Sequence, residues 1–275
     1  MLAFSLVLAL CLLGGHAWAR APSASNAQYY DKQVNVFNSE GDLPQLAYAD
    51  IAASRGESLV CLCTVDGGVV LCTPTWSGAP LLDRRIIDKI AKVDDGGIWV
   101  AFAGLAGDGR SLVRIARRIC ASHRMQFNAP PTLRYLTKSI ADIQHDATLS
   151  GSERPFGANL IVVGYDQGAE TPQVLLSRAS GSISQWRAAA IGKNAVKALA
   201  HLEAKLVAST AEKLVRRPAT AIEAAALALD LFRQNGTAAF ISIMHRAVHL
   251  SNLRLSPTPQ TCLHHSLLGL TTKTS

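Results

Sequence analysis

The 275-residue sequence predicts an α+β fold: two antiparallel β-sheets stacked between helix pairs, a four-layer αββα sandwich. Three observations predict it. Strand-like runs and amphipathic helices alternate in blocks, in the order strands, two helices, strands, two helices, strands. Turn signals of the hairpin kind join neighbouring strands, which makes the sheets antiparallel. There is no internal repeat and no linker, so a single domain carries the blocks.

The elements follow in order. Residues 22 to 29 are small and polar, the composition of a flexible tail. The run from Gln45 to Ala53 predicts a short helix ended by Gly56. Ser58 to Val65 and Gly68 to Thr73 are β-rich and are joined by Asp66-Gly67, a hairpin signal, and Ile98 to Ala103 supplies a third strand. Leu112, Ile115 and Ile119, with neighbouring Ala116 and Cys120, then fall on one helical face, and Leu133, Leu136, Ile140 and Ile143 repeat the pattern after Pro130-Pro131. Ala158 to Tyr165 is a nearly continuous apolar strand with a partner near Gln173 to Leu176, and Ser182 to Ala189 reads as one further strand. Asn194 to Val207 and Thr220 to Gln234 form the second helix pair. The latter opens on the capping box Thr220-x-x-Glu223 and stops at Asn235-Gly236. Phe240 to Met244 and Ala247 to Leu250 close the domain as a hairpin.

Composition bounds the function classes. Apolar residues make up 49% and charged residues 17%, against about 25% charged in an ordinary globular domain, which excludes general disorder. The apolar excess is concentrated in Leu2 to Leu13, broken only by Ser5. That block falls short of the roughly 20 residues that cross a bilayer, but it fits the apolar region of a secretory signal. Gly14-Gly15 ends it, and Ala17-Trp18-Ala19 or Ala19-Arg20-Ala21 offers a cleavage pattern. Residues 1–21 therefore read as a signal-like segment, with a mis-assigned first exon or an uncleaved apolar tail as alternatives. No later stretch reaches spanning length.

The net charge of +7 is dispersed. Its densest group, Arg114, Arg117, Arg118 and Arg124, lies on one predicted helix without interleaved aromatics, which favours a solvated face or subunit contact over nucleic acid. Of the six cysteines, three sit in strand-like segments, and the set reads as buried thiols rather than a disulfide framework.

Few residues offer chemistry. In amidase folds of this layered kind the nucleophile opens the first strand and its own α-amine is the base, which makes Ser58 and Cys61 the candidates. Glu57 precedes Ser58 where autoprocessing favours a small glycine, so Ser58 reads as an ordinary strand-start residue. His245 and His249 have helical ligand spacing but flank a predicted hairpin, and Cys262, His264 and His265 lack a second ligand pair. No phosphate-binding glycine loop is present, since Gly104 to Gly109 lacks the Lys-Ser/Thr ending.

Several segments taken together resemble the α-type subunits of the proteasome core particle. Tyr30-Asp31-Lys32, then Val36 to Gly41, then Gln45-Leu46-Ala47-Tyr48-Ala49 match in order and spacing a family signature of Tyr-Asp-Arg, Phe-Ser-Pro-Glu-Gly and Gln-Val-Glu-Tyr-Ala. Lys89-Ile90 with Val93-Asp94-Asp95, Ala103-Gly104-Leu105 with Asp108 and Arg110, Arg154-Pro155-Phe156-Gly157, Gly164-Tyr165-Asp166 and Ala190 to Asn194 continue the resemblance, which covers about residues 28 to 245. It implies the N-terminal nucleophile hydrolase-like version of the αββα sandwich. The domain is expected over residues 45–253, behind a gate-type tail at 22–44 and ahead of a divergent tail at 254–275.

The resemblance implies a non-catalytic subunit of a threonine-protease complex, active in ubiquitin-dependent protein degradation in cytoplasm and nucleus. The partners it implies are other α subunits in a seven-membered ring, the β ring, and the C-termini of activator particles. No cofactor, metal, nucleic acid or membrane is implied for the mature form. Tyr30, Asp31, Lys32, Ser39 and Tyr48 match the family's gate positions, and Lys89 matches the pocket lysine that receives activator C-termini. Ser39 stands where the family has proline, which leaves that turn without a ring to fix it. Lys32 stands for arginine, Ala47 for glutamate and Gly107 for another small residue. Two other classes compete: a catalytic amidase of the same fold, using Ser58 or a thiol, and a secreted binding module that takes residues 1–21 at face value.

Overall fold

The computed structural model describes residues 33–74, 89–150, 154–166, 168–206, 218, 220–234, 239–244 and 249–255. Helix α1 (Pro44–Arg55) leads into β1 (Leu59–Cys63) and β2 (Val69–Pro74). Then come β3 (Ile90–Asp94), β4 (Ile98–Gly104), α2 (Ala106–Phe127) and α3 (Leu133–Leu149). Strands β5 (Ala158–Gly164), β6 (Gln173–Ser177), β7 (Ile183–Trp186) and β8 (Ala188–Ile191) follow. Helices α4 (Ala195–Leu206) and α5 (Ala221–Gln234) and strands β9 (Ala239–Met244) and β10 (His249–Leu255) complete the domain.

The strands form two five-stranded sheets, β10-β9-β2-β1-β8 and β3-β4-β5-β6-β7, antiparallel throughout. Strand alternation divides the apolar residues among three cores, because successive side chains point to opposite faces. Leu59, Cys61, Leu71 and Ile191 of the first sheet meet Ala101, Ile161, Val163 and Leu176 of the second in the central layer. Val60, Leu62, Val70 and Cys72 face outward onto Leu202, Ala224, Ala228 and Phe232 of α4 and α5. Val100, Phe102, Leu160 and Val162 face the other way onto Leu112, Leu133, Leu136 and Ile140 of α2 and α3. This is the predicted four-layer sandwich.

Two details depart from the sequence reading. Strand β3 has no clear signal in the sequence, because its I-A-K-V-D pattern is short, lies at a sheet edge and carries an irregularity between Lys92 and Asp94. The single strand expected over Ser182 to Ala189 is two strands in different sheets. β7 pairs with β6, the chain bends at Arg187, and β8 pairs with β1. The carbonyl of Arg187 at this crossing accepts from the Cys63 amide at 3.0 Å, so the bend is tied to the first sheet. The last strand also starts later and runs further than Ala247 to Leu250.

Side-chain clamps fix the second sheet to its helices. Asp108 in the first turn of α2 accepts both guanidinium nitrogens of Arg154, at 2.7 and 2.8 Å, and the Gly157 amide at 2.9 Å. Asp94 at the end of β3 accepts a bidentate pair from Arg124 at 2.6 and 2.7 Å, and Arg117 donates twice to the Lys92 carbonyl. Arg117 and Arg124, expected on a solvated face or at a subunit contact, tether α2 to the edge strand. Asp166 after β5 accepts from the Leu133 amide at 2.7 Å and so caps α3. Thr132 adds its hydroxyl to the same helix start, accepting from Tyr135 at 3.2 Å.

Candidate functional site

The functional question centres on the end of the sandwich where α1 runs into β1. Helix α1 starts with a proline in its first turn and buries Ala49 and Ala53. Its C-terminal end lies against the β4–β5 end of the second sheet. Gly56 passes so close to Gly104 that a Cβ at Gly56 would sit 2.0 Å from the Gly104 nitrogen, and Gly104 itself has φ of +128°. Only glycine permits that approach.

From Gly56 the chain is continuous into β1, and three groups fasten it. The Gly56 carbonyl accepts from the Lys193 amide at 2.6 Å, the Ser58 hydroxyl donates to the Lys193 carbonyl, and Thr73 donates to the Ser58 carbonyl at 3.3 Å. The hydroxyl of Ser58 is therefore engaged as a backbone tether. Cys61 and Cys63 face the central layer and Cys72 the outer one, and with Cys120 all four described cysteines are unbridged and buried. Burial pushes the Cys61 and Cys72 thiols well above their ordinary value, and burial chiefly, with Asp94 beside it, raises Cys120 to about 12. Such thiols stay protonated at neutral pH, and the thiolate is the nucleophile.

The predicted gate positions divide. Tyr30, Asp31 and Lys32 lie outside the described residues. Ser39 sits in a tight turn that Asn38 closes: its Oδ1 accepts from the amides of Glu40 and Asp42, at 3.0 and 2.8 Å. The Asn38 amide donates to the Asp42 carbonyl at 2.9 Å, and Gly41 adopts φ of +88°. The Asn38 side chain thus closes the turn that contains Ser39. Tyr48 stands half exposed on α1, with Ile51 exposed one turn further along and Leu105 and Phe37 also exposed.

Lys89, just before β3, is ion-paired with Glu57, and their side chains are 13% and 32% exposed. The Lys89 carbonyl accepts from Phe102 at 3.2 Å, which roots the residue beside β4. Glu57 was not singled out by the sequence as a partner for Lys89. The available signal was a carboxylate two residues before a fully buried strand. The remaining candidates, His245, Cys262, His264 and His265, lie outside the described residues. Among the described residues no cluster of three potential metal ligands occurs, and no helix is long and apolar enough to cross a membrane.

Two stacked antiparallel sheets covered by outer helix pairs define the class as an N-terminal nucleophile hydrolase-like αββα sandwich. The proteasome subunit family model matches residues 53–240. Proteasome subunit alpha type-7 of Cicer arietinum is 36% identical over 187 residues, covering 68% of this chain and 74% of the relative. Proteasome subunit alpha of Sulfolobus acidocaldarius is 38% identical over 177 residues, covering 64% and 72%. The alpha type-7 subunit of Solanum lycopersicum is 36% identical over 187 residues, covering 68% and 71%. The chain belongs to the proteasome subunit family, as an α-type member.

Proposed function

We propose that this chain is a non-catalytic α-ring subunit of the proteasome core particle, serving ring assembly, pore gating and regulator docking in cytoplasm and nucleus. The observation that carries the reading is the α1–β1 junction. A nucleophile of the self-activating kind needs a free α-amine as its base, whereas here α1 packs on the sandwich ahead of β1, burying Ala49 and Ala53, and the Ser58 hydroxyl is bound to the Lys193 carbonyl. The raised thiols argue against a cysteine alternative.

Partners follow from the family. Tyr48, Ile51, Leu105 and Phe37 give the α1 end exposed apolar area that a neighbouring α subunit would cover. The segment before α1, including Tyr30, Asp31, Lys32 and Ser39, takes the gate role, with its turn held by Asn38. Lys89 is the position in this chain at which a C-terminal carboxylate of an activator would dock, in the groove beside a neighbouring subunit. A carboxylate–ammonium contact at a partly desolvated rim is the physical basis for that docking.

Affinity isolation of the tagged full chain tests the proposal. Recovery with other α-type and β-type proteasome subunits is expected, and recovery as a lone chain from a secretory fraction would contradict it. Peptide hydrolysis by the isolated chain, abolished by Ser58→Ala, would instead support the amidase class.

A further inference from the structure

The Lys89 ammonium is already occupied. Glu57 reaches it from the α1–β1 connection, across the gap between the two sheets, and Lys89 is only 13% exposed. Both residues are rooted by backbone contacts. The flanking Gly56 and Ser58 bind Lys193, and the Lys89 carbonyl binds Phe102. The pair is thus held by its setting and not only by two long side chains meeting on the surface.

We propose that Glu57 masks Lys89, making this subunit a poor acceptor of a partner's C-terminal carboxylate; the inference rests on the docking role proposed for Lys89. An entering carboxylate meets one cation that already has an anion beside it. It must displace Glu57 or share the ammonium with it, and two carboxylates on one partly buried cation repel. The ring position taken by this chain therefore contributes little regulator affinity, and Glu57 sets that specificity. Glu57→Gln keeps an acceptor oxygen for Lys89 and removes only the charge, which separates masking from a merely structural latch.

The test uses the assembled core particle carrying the full chain. Its probes are a photo-crosslinking heptapeptide with a free C-terminal carboxylate and the same peptide ending in an amide. Labelling of this chain is followed against peptide concentration. In the unmutated particle the two peptides are expected to label equally and weakly. Glu57→Gln is expected to strengthen labelling by the acid at least tenfold while leaving the amide unchanged, and Lys89→Met added to it is expected to abolish the gain. Glu57→Ser gives the same readout should the glutamine variant fail to assemble.

Equal gains for both peptides, no gain in Glu57→Gln, or a tenfold acid preference in the unmutated particle would overturn the masking. If that unmutated preference is lost in Lys89→Met, the docking reading stands and the masking alone fails. A gain in Glu57→Gln that survives Lys89→Met would overturn both, because the carboxylate then binds elsewhere.

Discussion

The two halves of the sandwich are built alike but held differently. On the second sheet, large side chains fill the helix–sheet layer: Leu112, Leu133, Leu136, Ile140 and Leu160 are fully buried, and Phe102 packs among them. The Arg124–Asp94 and Arg154–Asp108 clamps lie on this half. On the first sheet, much of the helical contribution is alanine, with Ala198, Ala224, Ala225 and Ala228 packed on Val60, Leu62, Val70 and Cys72. Among the described residues, one half relies on large buried side chains and directed charge, and the other sets a row of alanines beside Leu202, Leu206 and Phe232. The same layer order can thus be reached by two packing solutions, and they should respond to opposite mutations.

Leu136→Ala should produce the largest effect. It removes a wholly buried side chain from a layer that relaxes only partly around the gap, at a cost of about 2–5 kcal/mol by urea unfolding of the full chain. A loss below about 1 kcal/mol would mean that the two halves do not differ as described. The matching insult to the first half is addition of volume. Ala228→Leu should cost about 1–3 kcal/mol by overpacking, and a neutral result would show spare room under α5.

A smaller effect is expected for Asp108→Asn, about 1 kcal/mol at neutral pH, because the Arg154 side chain is 62% exposed and solvent screens the pair. The hydrogen bonds from Arg154 hold the Asp108 carboxyl below its usual value of 3.8, and those from Arg124 do the same for Asp94. The sign follows from linkage. A depressed folded-state value means that each clamp contributes fully above 3.8 and fades as pH falls from there through the lowered value. Acid titration of stability should therefore be shallower in Asp108→Asn than in the unmutated chain, and an unchanged acid profile would remove Asp108 from the account.

The contrast between the halves also explains what could be read in advance. Period-3.6 patterns mark α2 and α3, and β-rich or nearly continuous apolar runs mark β1, β2 and β5, because burial on one face or both leaves a mark in residue type. The capping box was equally legible, since Thr220 does accept from the Glu223 amide at 3.3 Å. Edge elements left no such mark. β3 is mostly part-exposed and β7 alternates between exposed and half-buried, and only pairing partners reveal that the chain changes sheet at Arg187.

The site was legible in a different way. Lys89, Tyr48 and Ser39 came from matching positions, whereas Glu57 and Asn38 depend on where the chain folds back and carry no periodic signal. Asp108, Arg154 and Asp166, part of the same matching set, prove to be clamps and caps within the fold. A shared motif can mark a structural joint as readily as a working residue.

The central claim is that α1 remains joined to β1, so that Ser58 never acquires a free amine. Amino-terminal sequencing of the native protein, taken from the assembled particle, tests it most directly. The account predicts a first residue upstream of Pro44, with α1 intact. A native chain beginning at Ser58, or at Cys61, would contradict it.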